Sequence, residues 1–130
     1  MHPLVALVTV LTVLLLMTTM ALVGRARGRH GVKAPATQGP EGFERAFRVQ
    51  MNTQESALMF LPALWAAAAF GLPWLSAAFG AAWLVARVWY VVAYLDPAGN
   101  RGPAFALSAL AILALVVQAL WGLAWALFLG

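Results

Sequence analysis

The chain contains no cysteine, and only 9% of its 130 residues are charged. The first absence excludes disulfides and any protein thiol nucleophile, so thiol chemistry here must use a thiol that arrives with a substrate. The second excludes an ordinary soluble domain, whose surface is built from far more charge than this. Acidic residues are scarcer still, four against eight Lys and Arg. In a soluble protein that +4 balance would point toward nucleic acid. In a chain with so few polar residues it is better read as topology, because cytoplasmic loops of membrane proteins collect Lys and Arg; no nucleic-acid partner is expected. Only two histidines are present, His2 and His30, isolated from each other and from any acid at metal-ligand spacing, so no metal site is expected. No Ser/His/Asp constellation and no glycine-rich phosphate loop occurs.

What fills the chain instead is hydrophobic sequence, 64% of it. Leu4 to Val23 is an apolar run, about the twenty residues that cross a bilayer. Met1-His2-Pro3 ahead of it offers no basic segment, and the run is longer than a signal-peptide core, so a retained helix is expected. Gly24 to Pro40 is polar and rich in Gly and Pro, and reads as a loop. A second helix starts at Glu41, where Glu41 and Glu44 suit the positive helix N-terminus. Its first half is polar and its second apolar, and Pro62 lies inside it. Gly71-Leu72-Pro73 is an uncharged turn, and Asp96 to Gly102 a polar one dense in turn formers. The expected fold is an all-α integral membrane protein, a single domain over residues 1–130. It is a four-transmembrane-helix bundle with helices at about 4–24, 41–71, 74–95 and 103–129. Four spans put both polar loops on one side. All eight Lys and Arg lie in those loops or on the helix segments leading to them, so both termini are expected outside and the basic face in the cytoplasm.

Charges inside the spans are harder to explain by topology. On insertion scales each costs roughly 2.5–3.5 kcal/mol near mid-membrane, so it usually faces a partner or a wet cavity. On the second helix Arg45, Arg48, Asn52 and Glu55 are stepped by three, four and three. On the third, Arg87, Tyr90 and Tyr94 are stepped by three and four, and Arg101 follows in the adjoining loop. Such steps keep each set on one helix face. Two polar stripes approaching the same membrane face imply a shared polar cavity. Arginines bind carboxylates bidentately, Asn and Glu take an ammonium or an amide, and tyrosine hydroxyls steer a polar ligand. The set suits a small zwitterion bearing several carboxylates. The same spacing also fits a plainer arrangement, with Arg48 paired to Glu55 and the tyrosines standing as interfacial belt residues.

The segment Phe43 to Glu55 carries the ordered set Glu44-Arg45, Arg48, Gln50, Asn52 and Glu55, and Ala86 to Tyr94 carries Arg87, Tyr90 and Tyr94. In these blocks, and in its four-helix layout with a long first loop, the chain resembles the MAPEG superfamily, the membrane-associated proteins of eicosanoid and glutathione metabolism. The resemblance implies a homotrimer with glutathione held between subunits near the cytoplasmic face. By position it implies that Arg48, Asn52, Glu55, Tyr90 and Tyr94 hold glutathione, and that Gln50 and Arg27 contribute from the neighbouring subunit. It gives Arg101 the catalytic role, stabilising the glutathione thiolate. Glutathione is then the co-substrate, and the partners are a lipophilic electrophile or a lipid hydroperoxide, membrane lipid and further copies of the chain. Two positions depart from the leukotriene-forming branch. Ser56 stands where that branch has a tyrosine, and Gly28 replaces a second arginine. The sequence looks more like a bacterial member, which implies the inner membrane. The alternative within the same superfamily is a non-catalytic lipid-binding or scaffold protein.

Overall fold

The computed structural model describes all 130 residues, and all of its regular structure is helical. The helices are α1 (Pro3–His30), α2 (Glu41–Phe70), α3 (Pro73–Leu95) and α4 (Gly102–Ala124), the last continuing into a π-helical turn over Trp125–Leu129. Starts are marked by local chemistry. Pro3 and Pro73 sit in the first turns of α1 and α3, where a missing N–H costs nothing. The His2 side chain caps α1 by accepting the Leu4 N–H at 3.2 Å. Between α3 and α4, Asp96 Oδ1 accepts the Ala98 N–H and Asn100 Oδ1 accepts the Gly102 N–H, two side-chain-closed turns in succession.

α1 differs from the sequence expectation. Instead of ending near residue 24, it continues through Arg25, Arg27, Arg29 and His30 and stops at Gly31, in the left-handed region at φ 66°. Arginine and alanine are good helix formers, so loss of hydrophobicity alone did not end the helix; the glycine that accepts the left-handed cap did. The polar link between α1 and α2 is correspondingly shorter. α2 runs through Pro62 without interruption.

α2 and α3 each pack against every other helix, with α1 and α4 flanking them. The core is centred on Phe60 of α2 stacked on Trp83 of α3, rings 4.0 Å apart and 5° from parallel. Val5, Leu64 and Leu115 close around them, all 0% exposed. Gly80 permits the close approach of α1 and α3. A Cβ there would lie 2.8 Å from Val8 Cγ1, nearer than packed atoms tolerate.

Only 28 of the 130 residues are buried, and the outer surface is large and apolar: Leu58 is 71% exposed and Leu120 61%. A contiguous surface of that kind is incompatible with water and suited to lipid. Three helices, α1, α3 and α4 with its π-helical turn, are long and apolar enough to cross a membrane. α2, expected as a fourth span, is not among them: its apolar half is preceded directly by Thr53, Gln54, Glu55 and Ser56 and is too short to qualify alone.

Candidate functional site

The polar stripes of α2 and α3 meet at the end of the bundle where α1 finishes and α4 begins. Two cavities border these stripes. The smaller, about 200 Å³, is lined by Glu41, Glu44, Arg45, Arg48, Tyr94 and Arg101. The second, about 440 Å³, lies between α2, α3 and α4 and includes Asn52, Glu55, Arg87 and Tyr90 in its wall. Tyr90 and Tyr94 join the two, their rings 5.6 Å apart.

The arginines of the smaller cavity differ in how far their charge is already used. Arg45 donates to Glu41 Oε1 through Nε at 3.0 Å and Nη2 at 2.6 Å, and to the Tyr94 carbonyl through Nη1 at 3.1 Å. Glu41 is 72% exposed, so this pair contributes at most about 1 kcal/mol. Its clearer effect is to tie the start of α2 to the end of α3. Arg48, one turn further on, is exposed and has no carboxylate within 4 Å. Arg101 ends the α3–α4 turn with its guanidinium 4.3 Å from the centre of the Tyr94 ring. Its charge is oriented by an aromatic face and neutralised by nothing. The site therefore offers two uncommitted guanidinium groups, the arrangement that receives carboxylates or stabilises a nearby anion.

In the second cavity Asn52 Nδ2 donates to the Tyr90 hydroxyl at 2.9 Å, leaving the Tyr90 O–H free to donate. Tyr90 is only 3% exposed and so is no interfacial belt residue. Glu55 lines the cavity, is exposed, and makes no ion pair. The plainer arrangement allowed by the spacing, Arg48 bridged to Glu55, is not what the fold contains.

Six of the expected residues, Arg48, Asn52, Glu55, Tyr90, Tyr94 and Arg101, are thus brought to this end of the bundle around two adjoining cavities. Arg27 and Gln50 are not. Arg27 donates to the Ala36 carbonyl at 2.8 Å and lies 5.0 Å over the Phe43 ring, holding the α1–α2 connection. Gln50 sits about 200° around α2 from Arg48, on another face of the helix. Within one chain neither reaches the cluster.

The fold also exposes a residue that the sequence reading noted in its stripe but gave no role. Arg87 is 1% exposed, the most deeply placed charge in the chain, with its guanidinium 3.9 Å from the centre of the Tyr90 ring. Its three-residue offset from Tyr90 was the available signal. Ser56 is buried too, accepting the Trp83 indole N–H at 3.0 Å, so it serves the core. The largest cavity, about 890 Å³, opens at the opposite end beside Gly71, Trp121 and Trp125. It has no charged residue in its wall and offers nothing to a charged reactant.

Comparison with known proteins extends over nearly the whole chain. The model of the MAPEG family matches residues 5–121. An uncharacterized protein of Synechocystis sp. is 44% identical over 122 residues, covering 94% of this chain and 89% of its own. Rat leukotriene C4 synthase is 39% identical over 120 residues, covering 92% of this chain and 80% of its own. Mouse microsomal glutathione S-transferase 2 is 35% identical over 102 residues, covering 78% and 69%.

Proposed function

The chain belongs to the MAPEG family, and on that premise we propose that it is a membrane-bound glutathione transferase, with glutathione peroxidase activity toward lipid hydroperoxides as the related reaction. The observation that carries the reading is the gathering of Arg48, Tyr94 and Arg101 around one polar cavity, next to a second holding Asn52, Glu55 and Tyr90. The kinship with a microsomal glutathione S-transferase and with leukotriene C4 synthase supports it.

Glutathione has two carboxylates, an ammonium, two amides and a thiol, and the cluster offers a group suited to each of these four kinds. The free guanidinium of Arg48 takes a carboxylate, Glu55 takes the ammonium or an amide N–H, and Asn52 and the Tyr90 hydroxyl hold the peptide. Arg101, a fixed cation steadied on the Tyr94 ring, faces the sulfur. A free thiol has a pKa of about 8.5, and an adjacent cation favours the thiolate at neutral pH. The thiolate attacks the electrophilic carbon. The sulfur–carbon bond forms as the carbon–leaving-group bond breaks, and the leaving group departs with the electron pair. With a hydroperoxide the thiolate attacks oxygen instead. The O–O bond breaks, an alcohol leaves after protonation, and a second glutathione thiol releases water and the disulfide.

In this reading the protein is a homotrimer. Arg27 and Gln50 complete the site from a neighbouring subunit, which accounts for their distance from the cluster within one chain. α2 crosses the bilayer as a fourth span, its charged half shielded by subunit contacts. Both termini lie outside, the site faces the cytoplasm of a bacterial inner membrane, and the lipophilic substrate arrives from the bilayer. The test is calorimetric titration of the detergent-purified protein with glutathione, together with ultraviolet detection of bound thiolate. Saturable binding with a thiolate signal at neutral pH is expected. Absence of binding would overturn the enzyme reading in favour of a lipid-binding protein.

A further inference from the structure

α1 and α3 carry a second pair of matching stripes, and none of their residues borders the two cavities of the polar cluster. On α1 the positions Leu11, Leu15, Thr18, Leu22, Arg25 and Arg29 advance by alternating steps of four and three, one continuous face of the helix. On α3 Leu84, Val88, Val91 and Leu95 advance in the same way. The two faces border a groove between the helices. Its apolar part, about 620 Å³, runs from Leu11 to Thr18 on α1 and from Leu84 to Val92 on α3. One turn further on it gives way to a cavity of about 430 Å³, which begins at Leu22 and Leu95 and is lined beyond them by Arg25, Arg29 and His30. The start of α2 completes that cavity. Gly42 leaves room there for the His30 ring, because a Cβ would lie 2.8 Å from Nε2. Neither arginine has a carboxylate within 4 Å, and nor has His30.

Length and charge together indicate the occupant. From Leu11 to Leu22 the apolar face is about 17 Å long at roughly 1.5 Å per residue. One leaflet contributes about 15 Å to a hydrocarbon core of about 30 Å. The basic groups therefore stand at the depth of the lipid head groups. A guanidinium fork receives two phosphate oxygens at once. We propose that the groove between α1 and α3 holds one anionic phospholipid of the adjoining leaflet, its phosphate among Arg25, Arg29 and His30 and an acyl chain along Leu15 and Val88. Two uncompensated guanidinium groups favour a lipid of net negative charge over a zwitterionic one, whose ammonium meets them as a like charge. A second copy of the chain is the competing occupant. In the proposed trimer, however, α1 meets its neighbour through Arg27, which lies about 160° around the helix from both Arg25 and Arg29. That step alone rests on the trimer, whereas the groove and its charges belong to the single chain. A phosphate held there fixes the basic turn of α1 that also carries Arg27.

The experiment uses the full-length protein, stripped of lipid in non-ionic detergent and titrated with phosphatidylglycerol or phosphatidylcholine of identical acyl chains. Native mass spectrometry follows the bound lipid. Each basic residue at an anionic lipid surface contributes roughly a five-fold gain, so the wild-type protein should prefer phosphatidylglycerol about ten- to thirty-fold. Arg25→Gln together with Arg29→Gln should abolish the preference without changing phosphatidylcholine binding. Lys33→Gln, which removes a charge of the adjoining link outside the groove, should leave the preference intact. Val88→Trp should weaken retention of both lipids and leave the oligomeric state unchanged. Equal retention of the two lipids by the wild-type protein overturns the proposal, and needs no variant to fold. A preference that survives the double substitution, or that Lys33→Gln abolishes, overturns it as well. Displacement of the lipid by free glycerol phosphate at equal concentration overturns it in favour of a soluble phosphate. Dissociation of the oligomer by Val88→Trp overturns it in favour of a second copy. No arm contains glutathione, so failure of the transferase reading and failure of this one are distinguishable.

Discussion

On the proposed function, replacing Arg101 with alanine should separate holding glutathione from activating it. The guanidinium stands 4.3 Å over the Tyr94 ring, borders the smaller cavity and is paired with no carboxylate. Its removal takes away a charge and leaves Arg48, Asn52 and Glu55 in place. A cation beside a thiol brings its pKa from about 8.5 into the region of roughly 6.5–7.5. At pH 7 the thiolate fraction is then about 25–75%, against about 3% without the cation. Turnover on a generic aromatic electrophile at pH 7 should therefore fall roughly eight- to twenty-five-fold, while the glutathione dissociation constant moves only a few-fold. The loss should shrink as the assay pH rises toward about 8.5, where the bound thiol ionises without help. Arg101→Lys should keep part of the activity, because the charge survives although the planar fork does not. Full turnover at pH 7 in the alanine variant would refute the assignment. So would a loss that high pH does not restore, which would point to misplaced substrate rather than a missing charge.

Arg48→Ala and Glu55→Gln should behave in the opposite way. Each should raise the glutathione dissociation constant about ten- to a hundred-fold, by calorimetry, with the ionised fraction of bound thiol unchanged. If the site is shared between subunits, native mass spectrometry from mild detergent should show a trimer; monomer alone would remove Arg27 and Gln50 from the site. A topology reporter fused after Gly130 should be active only outside the cytoplasm and one inserted near Ala36 only inside, and the reverse pattern would sink the orientation and the supply of cytosolic glutathione together.

Much of the bundle was legible because membrane insertion leaves a coarse signal. Apolar runs and turn residues located the second, third and fourth helices closely, since Gly71, Pro73, Asp96 and Asn100 are residues that end or redirect a helix by their own chemistry. The end of α1 was misplaced for a physical reason. Hydrophobicity reports where a helix leaves lipid, whereas the left-handed cap at Gly31 reports where it stops being a helix, and the two are separated by the basic turn from Arg25 to His30. The same distinction affects α2. Helical periodicity placed it correctly, yet its charged first half keeps its hydropathy below that of its neighbours.

At the site, spacing was enough to place side chains on a helix face but not to say which of them would be left unpaired. Arg45, Arg48 and Arg87 look alike in the sequence, each one or two turns from a polar neighbour. In the fold Arg45 is consumed by Glu41 and a backbone carbonyl, Arg48 stays free at the mouth, and Arg87 is enclosed among hydroxyls and an aromatic ring. That sorting depends on what α4 contributes. Ser108 and the apolar residues beyond it turn the inner face of α3 into the wall of a cavity, and nothing in the α3 sequence announces them. An arginine on an exposed stripe and an arginine enclosed beside a cavity differ only in the helix packed across from them. The contrast between Arg48 and Arg87 is therefore a property of the assembled bundle.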